Sequence, residues 1–209
     1  KKKEKYSDLS KNNPLWDTKR ILDVTGIKTR YLSKDEDIIS LSLKSAKKVL
    51  KKFSKKNIDF LIFVSQTSNI KLPSMSCIIQ HKLKLKTDVL AFDINMGCSG
   101  FVYALNVAKS LISQKNLSNG LIVCADVYTK YIEKNNSACR PIFSDASSAV
   151  IVGACKSLSI KEFDYGTDGS GAFDLFLKEN SNDIYMNGSK VALFTIKRVP
   201  LSIKKLLNK

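Results

Sequence analysis

Cys98 stands in the stretch Asn95-Met96-Gly97-Cys98-Ser99-Gly100, after an apolar run and before an amphipathic one. Two readings compete for it. A free cysteine is commonly a small buried hydrophobe. The setting argues for a nucleophile instead. The pattern puts Cys98 about four residues past a buried strand and at the first turn of a helix, hence at the carboxyl end of a sheet, where open α/β sheets bind ligands. Gly97 and Gly100 remove the Cβ atoms that would oppose a sharp turn and the close approach of a substrate. Free N–H groups and the dipole at a helix start favour an anion, which lowers a thiol pKa and yields the attacking thiolate. The same N–H groups can serve as an oxyanion site for a thioester carbonyl. The other cysteines lack this arrangement: Cys124 and Cys155 fall inside apolar strand patterns and Cys77 on a helix face.

The elements that must position Cys98 follow from periodicity. Ile38 to Phe53 has Ile38, Leu41, Ala46, Val49, Leu50 and Phe53 at helical spacing among lysines. Ile58 to Val64 is a continuous apolar run, the pattern of a strand buried on both faces. Pro73 and Ser74 open a helix that continues with an apolar face. Asp88 to Ile94 reads as a second buried strand, Gly100 to Ser113 as a helix, Gly120 to Asp126 as a third strand and Ser147 to Cys155 as a fourth. From Lys190 onward the chain reads as helical, with Pro200 a kink or break. Strands alternating with helices predict an α/β fold around a largely parallel mixed sheet.

Composition narrows the function classes. With 209 residues, 44% of them hydrophobic, the chain can bury one sizeable core or two small ones. It has no apolar run of 18 residues, so no membrane span is expected, and its basic start lacks the apolar stretch of a secretory signal. Five widely spaced cysteines and one histidine, His81, suggest neither a disulfide framework nor a metal site; a reducing, cytoplasmic setting is expected. The net charge of +16 comes mostly from lysines such as those of Lys47 to Lys56, read as a solvated helix face. No arginine and aromatic stripe accompanies them, so nucleic acid is not an expected partner; an acidic protein or a phosphate-bearing partner is, because a positive field speeds encounters with either.

The segment Asp93 to Leu105 closely resembles the active-site segment of the β-ketoacyl-acyl carrier protein synthase III family, in the thiolase-like superfamily. Further stretches follow in the family's order. Val24 to Leu32 is similar to its Thr-Gly-Ile segment, and Leu72 to Leu83 to its helix with Pro-Ser and Gln. Arg140 to Val152 resembles its Phe-Gly-Asp-Gly entry to a strand, Gly166 to Ala172 its Asp-Gly turn, and Tyr185 to Gly188 its Met-x-Gly segment. The resemblance implies a thiolase-like layered fold, the first half of a duplicated α/β/α/β/α architecture. Residues 1–160 would form the half with the nucleophile and 161–209 the start of the second half.

The resemblance also implies a reaction. Cys98 would take an acyl group from acyl-CoA or acyl carrier protein; a malonyl thioester would then lose carbon dioxide and its carbanion attack the acyl-cysteine. No permanent cofactor is implied, only CoA or phosphopantetheine thioesters as substrates, and a homodimer. By position, Leu72 would help set acyl-chain length near the neighbouring subunit's acyl tunnel, against an ordinary loop residue. Phe143 would line the acyl pocket, against core packing. Asn187 and Gly188 match a segment near the pantetheine arm, though a turn needing glycine explains Gly188 equally well. The family's histidine and asparagine, which promote decarboxylation, lie beyond its Met-x-Gly segment; His81 matches neither and reads as a surface or dimer-side residue. Those missing partners, and the lack of any strand read before Thr25-Gly26-Ile27, suggest a fragment or the ordered part of a longer chain.

Three departures stand out. Val24 replaces a frequent basic residue, Ser144-Asp145-Ala146 replaces Gly-Asp-Gly and stiffens its turn, and Arg140-Pro141 resembles a branch outside bulk fatty-acid synthesis. Two other functions remain open from sequence: a non-catalytic partner that binds acyl carrier protein, and an acyltransferase to an amine or hydroxyl. Such partners often lose the nucleophile, and Cys98 is intact.

Overall fold

Runs of apolar residues and lysine-edged amphipathic stretches alternate along the chain, and the computed structural model, which describes residues 2–114, 116–154 and 160–208, turns that alternation into strands and helices. In chain order these are β1 (Lys2–Lys5), α1 (Tyr6–Asn12), α2 (Thr18–Thr25), β2 (Thr29–Leu32), α3 (Ile38–Leu50), β3 (Phe60–Val64), α4 (Met75–Leu83), β4 (Leu90–Ile94), α5 (Gly100–Ser113), β5 (Asn119–Asp126), β6 (Ala146–Gly153), β7 (Leu175–Leu177), β8 (Ile184–Met186) and α6 (Gly188–Leu207). Cys155 lies outside the described residues. The chain divides into two units, one formed by Ser33–Val127 and Asp145–Ile160, the other by Lys1–Leu32, Tyr128–Ser144 and Lys161–Lys209.

The first unit is built on a four-stranded sheet of order β4-β3-β5-β6. β3 pairs in parallel with β4 (Val64 opposite Ile94) and with β5 (Val64 opposite Cys124), while β6 runs antiparallel to β5. All five residues of β3 are buried, as expected for a central strand covered on both faces. Alternation sorts its side chains: Leu61 and Phe63 join α3 and α4 in one core, and Phe60, Ile62 and Val64 join α5 in another. Each fully buried large apolar side chain contributes about 1.5–3 kcal/mol, so this layer dominates the unit's stability. Gly120 stands opposite Phe60, whose ring fills the space a Cβ would need, at 2.0 Å.

In the other unit, β1 pairs antiparallel with β2 and β7 with β8. The sequence suggested no strand ahead of Thr25, yet Lys2–Lys5 forms one. Its residues are charged and too few to show a period; what holds them is pairing with β2 and a buried ion pair, Arg30 Nε to Glu4 Oε2 at 2.5 Å, with Arg140 Nη2 at 3.2 Å from Glu4 Oε1. A small cluster of Ile132, Cys139 and Ile184 forms this unit's core. Pro200 does not end the last helix: α6 continues to Leu207, although Pro200 gives no N–H to the Ile196 carbonyl. No residue of α6 is buried, so water can serve that carbonyl. Among the described residues, no helix is long and apolar enough to cross a membrane.

Candidate active site

Cys98 occupies the turn between β4 and α5, four residues past Ile94 and one ahead of Ser99, the capping position of the helix. Its thiol is free and exposed, so it is not a core cysteine. The turn is closed by Gly100 N–H donating to the Gly97 carbonyl at 2.9 Å, and α5 begins with Tyr103 N–H donating to the Ser99 carbonyl at 3.1 Å. Ser99 makes no side-chain bond to the helix; its hydroxyl lies 3.9 Å from Met96 Sδ. The Ser99 side chain therefore does not compete for the N–H groups of Phe101 and Val102, which follow Gly100 in the opening turn and can face an anion. α5 starts at Gly100, as the sequence pattern predicts, and Cys98 stands at the entry to its first turn, two residues ahead.

Gly100 has a different task from the one expected. It is buried, and a Cβ there would sit 2.5 Å from Val64 Cγ1 and 3.2 Å from Met96 Cβ. The missing side chain lets α5 close onto β3, which fixes the helix start beside the strand end rather than admitting a substrate.

The neighbouring connection at the same carboxyl edge is residues 65–74, which leave β3 at Val64, the partner of Ile94. Ser65 N–H donates to the Ile94 carbonyl at 3.2 Å, tying that connection to the strand that leads to Cys98. Leu72 lies in it with 89% of its surface exposed. His81 lies on the last turn of α4, exposed, at the opposite edge of the sheet. Gln80, in the second turn of that helix, donates to the carbonyls of Leu85 and Lys86 at 3.0 and 2.8 Å and so closes the turn that follows.

The remaining expected site residues belong to the other unit. Phe143 is half-buried and packs with Ile132, Cys139 and Ile184; its ring lies 5.0 Å from that of Tyr128, and its carbonyl accepts from Arg30 Nη1 at 3.1 Å. Asn187 caps α6, its side chain accepting from Lys190 N–H at 3.2 Å. Gly188 is the first residue of that helix, and a Cβ on it would meet only Met186 Cε at 4.0 Å, so neither a turn nor packing requires glycine there.

Three carboxylates escaped the sequence reading of the site. Asp93, on β4, accepts from Met75 N–H at 2.7 Å and Ser76 N–H at 2.8 Å, capping α4 from a neighbouring strand. Asp126 ends β5 and gathers donors from residues 65–67. Asp145 is buried and accepts from the backbone and hydroxyl of Ser33 at 2.7 and 2.8 Å. The signal available was an aspartate inside an otherwise apolar strand (Asp93), ending one (Asp126) or just ahead of one (Asp145), a placement rare without partners. Of the remaining thiols, Cys124 is pushed up to about 11 by burial and by Asp126, and Cys139 is raised by burial and by Asp183. Among the described residues no group of three His, Cys, Asp or Glu side chains could hold a metal ion.

Comparison with known proteins places this arrangement. A family model, 3-oxoacyl-[acyl-carrier-protein (ACP)] synthase III, matches residues 92–169, from within the strand before Cys98 to a point beyond β6. The β-ketoacyl-[acyl-carrier-protein] synthase III of Acholeplasma laidlawii is 33% identical over 207 residues, covering 98% of this chain and 65% of the relative. That of Clostridium novyi is 31% identical, with 99% of this chain and 67% of the relative covered. The crystal structure of a 3-oxoacyl-(acyl-carrier-protein) synthase III superposes with a TM-score of 0.92 at 30% identity, covering 100% of this chain and 70% of that one. The chain thus spans about two thirds of the length of the relatives it matches. Its mixed, mostly parallel sheet is that of a thiolase-like fold, and the chain belongs to the β-ketoacyl-[acyl-carrier-protein] synthase III family.

Proposed function

We propose that this protein is an acyl-thioester condensing enzyme in which Cys98 is the nucleophile. The carrying observation is the exposed Cys98 thiol on the turn into a helix whose start has no side-chain cap, in a chain of this family. In the first half reaction the Cys98 thiolate attacks the carbonyl of an acyl-CoA or acyl-carrier thioester, the opening N–H groups of α5 or its turn receive the oxyanion, and the donor thiolate leaves. In the second, a malonyl thioester loses carbon dioxide and the resulting carbanion attacks the acyl-Cys98 carbonyl, releasing the cysteine and a β-ketoacyl product. His81, at the far edge of the sheet, does not assist at Cys98. The chain's own residues therefore support acyl transfer more strongly than decarboxylation.

Within this reading Leu72 borders the acyl chain, Phe143 contributes to the acyl pocket, and Asn187 and Gly188 lie near the pantetheine arm. Residues 161–209 open the second half of the duplicated fold. The enzyme acts in the cytoplasm as a homodimer, which would pair the open edge of the sheet at β4, where Leu90 is exposed. The basic surface favours acyl carrier protein as a donor.

Intact mass of the protein mixed with acetyl-CoA tests the proposal. One acetyl group should add to wild type and none to Cys98→Ala; an adduct that persists in the variant rules Cys98 out. Malonyl-carrier protein added to the acetylated enzyme then separates condensation, which discharges the adduct into a β-ketoacyl thioester, from transfer to an amine or hydroxyl, which does not.

A further inference from the structure

Residues 65–74, which connect β3 to α4, are held at both ends by carboxylates, and each comes from a different strand flanking β3. At the start, Asp126 at the end of β5 accepts four bonds on Oδ1: from Ser65 Oγ at 3.1 Å, Gln66 N–H at 3.0 Å, Thr67 N–H at 3.1 Å and Thr67 Oγ1 at 2.8 Å. Thr67 Oγ1 in turn accepts from Val127 N–H at 2.8 Å, so the connection is stitched both to Asp126 and to the residue after it. At the far end, Asp93 on β4 receives Met75 N–H on Oδ2 and Ser76 N–H on Oδ1. Ser74, which stands at the capping position of α4, makes no such bond itself. Between the anchors Ile70 packs against the α3–α4 core, while Lys71, Leu72 and Pro73 are exposed.

The placement follows from topology. β4 and β5 lie on opposite sides of β3, and all three are parallel, so their carboxyl ends present Asp93, the start of this connection and Asp126 along one edge. Cys98 leaves the same edge after β4. A connection with an exposed apolar tip has little packing of its own to hold it, and charge-assisted bonds to backbone N–H groups are the stronger kind available. The two carboxylates use their oxygens differently. Asp93 spends both, one on each N–H, whereas every donor at Asp126 meets Oδ1. Burial, the largest influence on Asp126, raises its carboxyl above the ordinary value of 3.8 against those donors; with all four bonds on one oxygen, an acceptor at the Oδ1 position is what the connection uses there.

We propose that Asp93 and Asp126 are positioning residues that clamp residues 65–74 and thereby set the acyl-chain length that Leu72 admits. The chain-length part rests on the reading that Leu72 borders the acyl group. Loosening either anchor lets the tip move outward and accept longer chains.

Hydrogen exchange and acyl transfer on the full chain test this together. Asp126→Ala should speed exchange of the Gln66 and Thr67 amides about tenfold, while Asp126→Asn, which keeps an acceptor oxygen, should leave them close to wild type. Asp93→Asn, which turns one acceptor into a donor, should speed exchange of Met75 and Ser76 by a similar factor, with β3, β4 and β5 unchanged. In Asp126→Ala and Asp93→Asn, and in Leu72→Ala, the ratio of hexanoyl to acetyl transfer onto Cys98 should rise about tenfold. Exchange that is unchanged in Asp126→Ala and Asp93→Asn overturns the clamp. Faster exchange with an unchanged ratio, while Leu72→Ala still shifts it, overturns the role in specificity. If Leu72→Ala leaves the ratio alone, or wild type takes up no acyl group, the acyl reading of this site fails and takes the specificity claim with it, and the exchange arm alone decides the clamp. Should Asp126→Ala fail to fold, Thr67→Val removes the 2.8 Å bond to Asp126 at nearly equal volume and serves in its place.

Discussion

Access divides the described thiols into two pairs, and setting separates Cys98 from Cys77. Cys98 and Cys77 are exposed, Cys124 is half-buried in the α5 core, and Cys139 is buried with its thiol 3.4 Å from the Ile184 carbonyl. Only thiolates react with alkylating agents at useful rates. With Cys124 pushed up to about 11, its thiolate fraction at pH 8 is about one part in a thousand and climbs only as pH approaches that value. Native protein treated with iodoacetamide at pH 8 should therefore carry label on Cys98 and Cys77, with Cys124 and Cys139 labelled only after unfolding. Peptide mapping checks this; label on Cys124 with Cys98 spared would contradict the geometry.

At the scale of elements, β4 and α5 present Cys98 because the strand end and the helix start meet across a glycine. The contact that matters is between Gly100 and Val64, the last residue of β3. Gly100→Ala adds a methyl group into occupied space, and overpacking of this kind costs about 1–3 kcal/mol. Urea unfolding should show that loss, and acetylation of Cys98 should slow as well, because relief of the clash moves the helix start away from the strand. An alanine variant as stable and as reactive as wild type would show that α5 has room to spare. Gly97 and Gly100 were both legible in the sequence as signs of a tight turn. That the second serves helix–sheet packing was not, because the atom it avoids belongs to a strand more than thirty residues earlier.

For the molecule as a whole, a net charge of +16 makes encounters with acidic partners depend on ionic strength. The lysines that end α3 and α4 lie at the sheet edge opposite Cys98, with Lys55 Nζ donating to the Leu83 carbonyl at 3.1 Å between them. Acyl transfer from an acidic carrier-protein thioester should slow several-fold between about 0.05 and 0.5 M salt, where the Debye length contracts from more than 10 Å to less than 5 Å. Transfer from a small uncharged thioester should hold steady over the same range. Stopped-flow or quenched-mass kinetics distinguish the two, and equal salt dependence for both donors would remove the surface charge from the account.

Much of this protein can be read from its residues in order. β3 to β6 and α3 to α5 follow from apolar runs and helical spacing, since burial on a regular element imposes its period on the sequence. The turn at Cys98 was readable for the same reason: glycines, strand and helix are local to it. The short elements α1, α2, β2, β7 and β8 were not assigned from sequence, and four tertiary features were not legible either. The strand Lys2–Lys5 exists through its pairing with β2 and through Glu4 meeting Arg30, twenty-six residues away. The clamp of Asp93 and Asp126, the Asp145 bonds to Ser33 and the Gly100 contact all join residues distant in the chain. Periodicity records which face an element buries. Which donor a buried carboxylate meets, and which atom a missing side chain makes room for, is decided only when the strands take their places in the sheet.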